Sequence, residues 1–314
     1  MSAPDMDKPA VSIVIPTYNR TGFLREALDS VAAQTFSDYE VIVVDDGSEE
    51  DVSGAIAGHP TKPRVIRQVR QGPAAARNRG VFESRSQAVA FLDSDDLWLP
   101  EKLAVFMEAL NRSSEFSVYY GPMLPIDDSG TPVNGRCKPR HQGAITRKLF
   151  ASCFVDVPSV VCRKSVIEDA GGFDAALPVC EDYDLWLRIS VCEPFGLIEA
   201  PMAKRRLHAN RLSKSKMSRN LAVKARMLER FFQQHREGDL LDTDAALARL
   251  GRVFFQAGRA AFHEGEYQQA VEFCRASRAY GRAPFRTMLF SAAAGTMAMF
   301  GGNGHRSSPD AAKV

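Results

Sequence analysis

The sequence predicts an α/β fold in which helices sandwich a sheet, followed by an α-helical appendage. Three observations lead there. The first hundred residues alternate β-rich runs with segments of helical spacing, the pattern of βαβ units whose right-handed crossovers put helices on both faces of a parallel sheet. Two of the apolar runs, 41–44 and 89–92, end in acidic clusters, Asp45-Asp46 and Asp93-Ser94-Asp95-Asp96. Beyond about residue 218 the strand signal fades and Ala, Leu, Arg and Glu dominate.

In chain order, 11–15 reads as a strand, 21–34 as a helix, 40–44 as a strand and 65–69 as a weaker one, and a helix over 74–84 leads into a fourth strand at 88–92. Pro100 opens a helix over 101–112, as proline does at a first helical turn. Residues 116–143 are rich in Gly, Pro and turn formers and suit a hairpin or long excursion. A strand over 156–163, a short helix over 165–170 ended by Gly171-Gly172, and an amphipathic helix over 181–191 follow. Helices over 221–234, 242–263 and 267–280 complete the appendage; within them 258–274 resembles one tetratricopeptide-type hairpin, and with no second copy a solenoid is not expected. The Gly/Ser/Pro-containing end reads as a disordered tail. The expected organisation is an α/β domain over 1–218, a helical appendage over 219–300 and a tail over 301–314.

A chain of 314 residues with 45% apolar content can bury a full core. Its net charge of +2 argues against nucleic acid as a partner. Six cysteines without a CxxC pair suggest neither a zinc site nor a disulfide framework, which fits a reducing cytoplasm. The N-terminus lacks an apolar signal core and no apolar run reaches about 18 residues, so neither secretion nor membrane spanning is indicated; 288–300 reads as a packing helix. The stretch 204–216 carries six positive residues, His208 and no acid. It reads as a phosphate-binding segment, a solvated loop or a patch attracted to anionic lipid, which leaves open peripheral attachment at the inner face of the membrane.

Strand C-termini are where open α/β sheets build ligand sites. Asp93, Asp95 and Asp96 would repel one another there, and a hard cation, Mg2+ or Mn2+, is the natural way to keep all three ionised. Asp45 and Asp46, followed by Gly47-Ser48, could cap a turn or aim a carboxylate into a base pocket. Pro16-Thr17-Tyr18-Asn19-Arg20 ends the first strand at the same edge, so Tyr18 either stacks on a base or seals the sheet. Arg77 and Arg79 either face a diphosphate or form surface ion pairs, and Trp186 either lines a site or packs.

The ordered motifs Val11-Ser-Ile-Val-Ile-Pro-Thr-Tyr-Asn-Arg20, Gln34-Thr-Phe-Ser-Asp-Tyr-Glu-Val-Ile-Val-Val-Asp-Asp-Gly-Ser48, Ala76-Arg-Asn-Arg-Gly80, Leu92-Asp-Ser-Asp-Asp96 and Cys180-Glu-Asp-Tyr-Asp-Leu-Trp-Leu-Arg188 resemble those of family 2 glycosyltransferases. The resemblance implies a GT-A-type, Rossmann-like mixed sheet and an inverting enzyme that uses a nucleotide-sugar with Mn2+ or Mg2+, of the sort that builds cell-surface polysaccharides. It implies a donor site with Pro16, Tyr18 as the base-stacking aromatic, Asp46 as the uracil-facing carboxylate, Arg77 and Asp93. Asp95 and Asp96 become the ribose and metal contacts of a DxD-type element, and Asp182 the base, supported by Glu181 and Trp186. His208 and Arg211 fall in a segment that closes over the donor diphosphate in relatives. A UDP-sugar is the preferred donor and a dTDP-sugar the runner-up; the acceptor is a glycan, a lipid-linked saccharide or a protein, and the C-terminal helices leave homo-oligomerisation open. A sugar-phosphate nucleotidyltransferase would instead carry a Gly-rich loop where Pro16–Arg20 stands. A non-catalytic nucleotide-sugar-binding protein would not need Asp182. Ser84-Arg-Ser-Gln87 departs from the Gly-containing turn of many relatives.

Overall fold

The computed structural model describes residues 8–112, 115–135, 139–207 and 217–281, with 290, 292 and 294–297. The chain forms two compact units, Met1–Arg211 and Leu212–Val314. In the first, β1 (Val11–Thr17), α1 (Thr21–Ala32), β2 (Tyr39–Asp45), α2 (Val52–Ala55), β3 (Arg64–Arg67), α3 (Pro73–Glu83) and β4 (Ala88–Phe91) follow the predicted alternation. Then come β5 (Leu97–Trp98), α4 (Lys102–Arg112), β6 (Val118–Tyr120), β7 (Met123–Ile126) and α5 (Thr146–Ala151). A 3-10 turn (Val157–Ser159), β8 (Val161–Arg163), α6 (Lys164–Asp169), α7 (Glu181–Cys192), β9 (Phe195–Leu197) and β10 (Ala203–Arg206) finish the unit.

The main sheet has the order β3-β2-β1-β4-β8-β6-β9. Its first four strands are parallel, as crossover helices require. β8 then runs antiparallel to both β4 and β6, so the sheet is mixed. β1 and β4 are buried along their whole length and β2 from Glu40 onward, which is why they read as continuous apolar runs rather than alternating ones. A second sheet, β5-β10-β7, lies outside this ladder.

The differences from the sequence expectation have local causes. The strand expected over 156–163 is interrupted by the 3-10 turn, because Pro158 has no N–H to give a ladder. The strand expected over 65–69 ends at Arg67, and Val69 is exposed. The region 116–143 is not a hairpin: β6 joins the main sheet and β7 the small one. Ala203–Arg206, expected within a loop-like basic segment, is a strand between β5 and β7. At the N-terminal end of the strands the Ser84–Gln87 turn is held by polar contacts in place of glycine. Ser12 Oγ and Arg85 N donate to Glu40 Oε1 at 2.6 and 2.8 Å, and Ser86 Oγ donates to Ala10 O at 2.6 Å.

The second unit holds α8 (Met217–His235), α9 (Thr243–His263) and α10 (Tyr267–Ala279). Asp242 caps α9 by accepting from Ala245 N at 2.8 Å. Gly265, at φ +81°, turns the chain into α10, and Gly258 lets that helix approach so closely that a Cβ there would stand 3.0 Å from Cys274 Sγ. No helix among the described residues is long and apolar enough to cross a membrane. The 301–314 stretch lies outside the described residues.

One close approach sets the distance between α3 and the sheet. A Cβ on Gly80 would stand 2.2 Å from Val14 Cγ1 on β1. The flanking core has no room to yield, so Gly80→Ala should destabilise the first unit by about 2 kcal/mol despite its better helix propensity, read as a lower urea midpoint.

Candidate functional site

The C-terminal ends of three parallel strands converge on one edge. Thr17 lies opposite Asp45 in the β1–β2 register, Asp46 N donates to Thr17 O at 2.9 Å, and Leu92 N donates to Val14 O at 3.1 Å. The loops leaving β1, β2 and β4 therefore face one another across this edge. Pro16 is buried inside β1 opposite Val44, at the base of the loop that leaves the strand. Tyr18 follows, partly exposed, with the Arg70 guanidinium 3.9 Å from its ring centroid and Arg70 Nη1 donating to its hydroxyl at 3.0 Å.

The two acids ending β2 have different surroundings. Asp45 caps the turn by accepting from Ser48 N at 2.8 Å. Asp46 binds the loop that follows β3: its Oδ1 accepts from Gln68 Nε2 and Gln71 N, and its Oδ2 from Gly72 N, each at 2.8 Å. Each carboxylate oxygen can accept two donors, so Oδ2 keeps capacity for one more. Gly47, at φ +80°, is needed here because a Cβ would stand 2.9 Å from Arg70 N.

Beyond β4, Asp93, Asp95 and Asp96 each present a carboxylate oxygen within 4.8 Å of the others. Three hard oxygen ligands at that spacing fit Mg2+ or Mn2+. Burial pushes the Asp93 carboxyl up; Arg77 opposes this, while Asp95 and Glu181 add repulsion, and the net direction is upward. Arg20 pairs with Asp95, and Asp96 Oδ1 accepts from Arg206 N at 2.9 Å. Arg206, 1% exposed, also donates from Nε to Asp95 O at 3.1 Å and pairs with Glu26.

Arg77 connects this cluster to α7. Its Nη2 lies 2.7 Å from Asp93 Oδ1 and its Nη1 2.7 Å from Glu181 Oε1, with the side chain only 7% exposed. The neighbours of Arg77 complete the junction. Asn78 both donates to and accepts from the backbone of Phe173 at 2.8 Å, and Gly80 admits β1. Arg79 pairs on the surface with Glu83, so only one of the two arginines points at the cluster.

At the start of α7, Cys180 adopts a left-handed backbone, φ +65°, and Glu181, Asp182 and Asp184 occupy the first turn, where the helix dipole favours anions. Asp184 is structural, pairing with Arg188, whose Nη2 donates to Gly172 O at 2.7 Å. Asp182 has the most perturbed carboxyl of this turn. Burial, reinforced by Glu181 and opposed by Arg77, pushes its carboxyl up to about 7. Trp186 is not in the cleft. It is fully buried, edge-on to Phe173 and Phe195 at 6.2 and 6.5 Å, because its place in α7 points it at the core.

The structure thus groups Tyr18, Asp46, Arg77, Asp93, Asp95, Asp96, Glu181 and Asp182 around one strand edge and one helix start. His208 and Arg211 lie outside the described residues. Arg20, Arg70 and Arg206 were not singled out by sequence. Arg20 and Arg206 had only one signal, their place beside motifs rich in acid or base.

Comparison with known proteins agrees with this layout. Residues 12–169 match the model of the family described as glycosyl transferase family 2. An uncharacterized glycosyltransferase of Rickettsia felis is 29% identical over 225 residues, covering 68% of this chain but 36% of the relative, so the chain spans about a third of that protein's length. The crystal structure of S. aureus TarS 1-349 in complex with UDP-GlcNAc superposes with a TM-score of 0.63 at 18% identity, over 91% of this chain and 87% of that one. The mannosyltransferase PcManGT of Pyrobaculum calidifontis, in complex with GDP-Man and Mn2+, gives 0.57 at 19% identity, over 95% and 88%. At such identities the structural likeness establishes the fold.

Two measurements check the site. Arg77→Met leaves Glu181, 11% exposed, and Asp93, 29% exposed, without their shared cation and should cost about 3 kcal/mol in urea denaturation, with Arg77→Lys recovering little because an ammonium cannot span both acids. Asp182 binds its proton more tightly folded than unfolded, so its contribution favours the folded state below pH 3.8 and is lost as pH rises to about 7. Asp182→Asn should therefore match wild-type stability near pH 4 and exceed it by about 4 kcal/mol at pH 8, compared by denaturation at both pH values.

Proposed function

The chain belongs to glycosyl transferase family 2, and from that premise we propose that it is an inverting glycosyltransferase that moves a sugar from a nucleotide-sugar, UDP-linked by preference, to an acceptor hydroxyl. The observation that carries this reading is the Arg77 bridge, which links the acidic cluster at Asp93 to Glu181, the neighbour of the proton-accepting Asp182. Donor-side and acceptor-side carboxylates belong to one assembly.

In this reading Tyr18 offers its ring to the base, Asp46 its remaining Oδ2 capacity to a base N–H, and Asp95 and Asp96, with Asp93 beside them, would hold the divalent cation. When bound, that cation neutralises charge developing on the departing diphosphate. Asp182 takes the proton of the acceptor hydroxyl as its oxygen bonds to the anomeric carbon from the side opposite the leaving group; the bond to the diphosphate oxygen breaks with its electron pair, and configuration inverts. A carboxyl held near neutrality is matched to that task. The UDP preference is supported by the bound state of the TarS relative in fold and by the open acceptor capacity of Asp46.

The test is donor turnover with Mn2+ across a panel of nucleotide-sugars. Wild type should release nucleoside diphosphate from one donor, and Asp95→Ala and Asp96→Ala should each reduce that at least a hundredfold. Asp182→Asn should retain donor affinity while transfer collapses, and the wild-type kcat/KM should climb with pH to a plateau above about 7, where Asp182 is ionised. Intact donors throughout the panel, or loss of donor affinity in Asp182→Asn, would reject the assignment.

A further inference from the structure

The three clustered carboxylates do not have equivalent partners. Asp93 is held by Arg77, a 7% exposed framework residue that also carries Glu181, and Asp96 by a backbone N–H, that of Arg206. Asp95 is paired with Arg20, whose side chain is 24% exposed. Arg20 has the N-cap position of α1 but makes no side-chain cap contact, so its guanidinium is directed elsewhere. The loop that carries it is pinned: Asn19 N donates to Ser48 Oγ at 3.0 Å, Glu49 N to Asn19 Oδ1 at 2.8 Å and Thr21 N to Glu50 Oε2 at 2.9 Å. The backbone is fixed, and the partly exposed side chain reaches Asp95 in the acidic cluster.

We propose that Arg20 is an internal competitor for the divalent cation at Asp95, a positioning residue that a bound diphosphate draws off the carboxylate. The inference rests on the metal-dependent reading above. A guanidinium and a divalent cation repel each other and cannot both contact one small carboxylate cluster at full strength. Cation binding therefore requires Arg20 to leave Asp95, and a planar guanidinium regains what it loses by pairing with diphosphate oxygens. Metal alone binds against Arg20, whereas metal with a nucleoside diphosphate binds with its help. The two affinities are then coupled, each ligand tightening the other by the same factor. Such coupling keeps the site from filling with metal before the donor arrives.

The experiment titrates Mn2+ into wild type, Arg20→Ala, Arg20→Gln and Arg20→Lys, with UDP or GDP absent or present, following free Mn2+ by electron paramagnetic resonance. Without nucleotide, Arg20→Ala and Arg20→Gln should bind Mn2+ about fivefold tighter than wild type, the scale of a partly exposed ion pair, and Arg20→Lys should stay near wild type. With nucleotide, wild type should gain affinity and the two neutral variants should lose most of that gain. A structural role for Arg20 predicts the opposite sign. Equal or weaker Mn2+ binding by the neutral variants, at unchanged thermal midpoint, overturns the proposal and leaves the metal reading standing. No Mn2+ binding by any form, with Asp95→Asn indistinguishable from wild type, overturns both.

Discussion

A guanidinium shared between two carboxylates from distant parts of the chain is the constraint around which the site is built. Arg77 lies on α3, Asp93 follows β4 and Glu181 opens α7, and both pairs close at 2.7 Å around a guanidinium that is 7% exposed. Burial and the neighbouring acids push the Asp93 carboxyl up, and Arg77 opposes them without reversing the net direction. The arginine fixes the separation of the two elements. Because α3 is in turn held against β1 by the Gly80–Val14 contact, the position of the bridge follows from backbone packing and not from side-chain choice alone.

Each acid of the cluster meets a nitrogen donor. Asp93 has a buried arginine, Asp96 a backbone N–H from the last residue of β10, and Asp95 a partly solvated arginine. Asp182 accepts a hydrogen bond from Tyr183 N at 2.7 Å. Burial is the first cause of its elevated proton affinity and repulsion from Glu181 adds to it, while Arg77, paired with Glu181, opposes both only through space.

What the sequence made legible was the scaffold that buried apolar runs define. β1, β2 and β4 were readable because continuous apolar residues end abruptly in charge, and α7 because its acids precede an apolar stripe. The counter-ions were not readable. Arg77 meets Asp93 across 16 positions but Glu181 across 104, Arg20 meets Asp95 across 75, and Arg206 meets Asp96 across 110, distances that only the fold closes. The two- to four-residue strands β5, β9 and β10 also escaped, since they are too short to show a period and exist through their partners' register. For Trp186 the sequence allows either site lining or packing, and burial in the structure selects packing.

The two tryptophans of the chain, Trp98 and Trp186, both belong to the unit that ends at Arg211. Trp98 donates from Nε1 to Pro158 O at 3.0 Å with the Lys102 amine 5.0 Å from its ring, while Trp186 is enclosed by aromatic rings with its Nε1 unbonded. Indole fluorescence is consequently a private reporter of the sheet-containing unit, with one emitter beside a polar contact and one in dry hydrocarbon. Ellipticity at 222 nm reports the helices of both units, whereas α8, α9 and α10 carry no indole, so a loss of ellipticity without a change in tryptophan emission marks melting of those three helices alone.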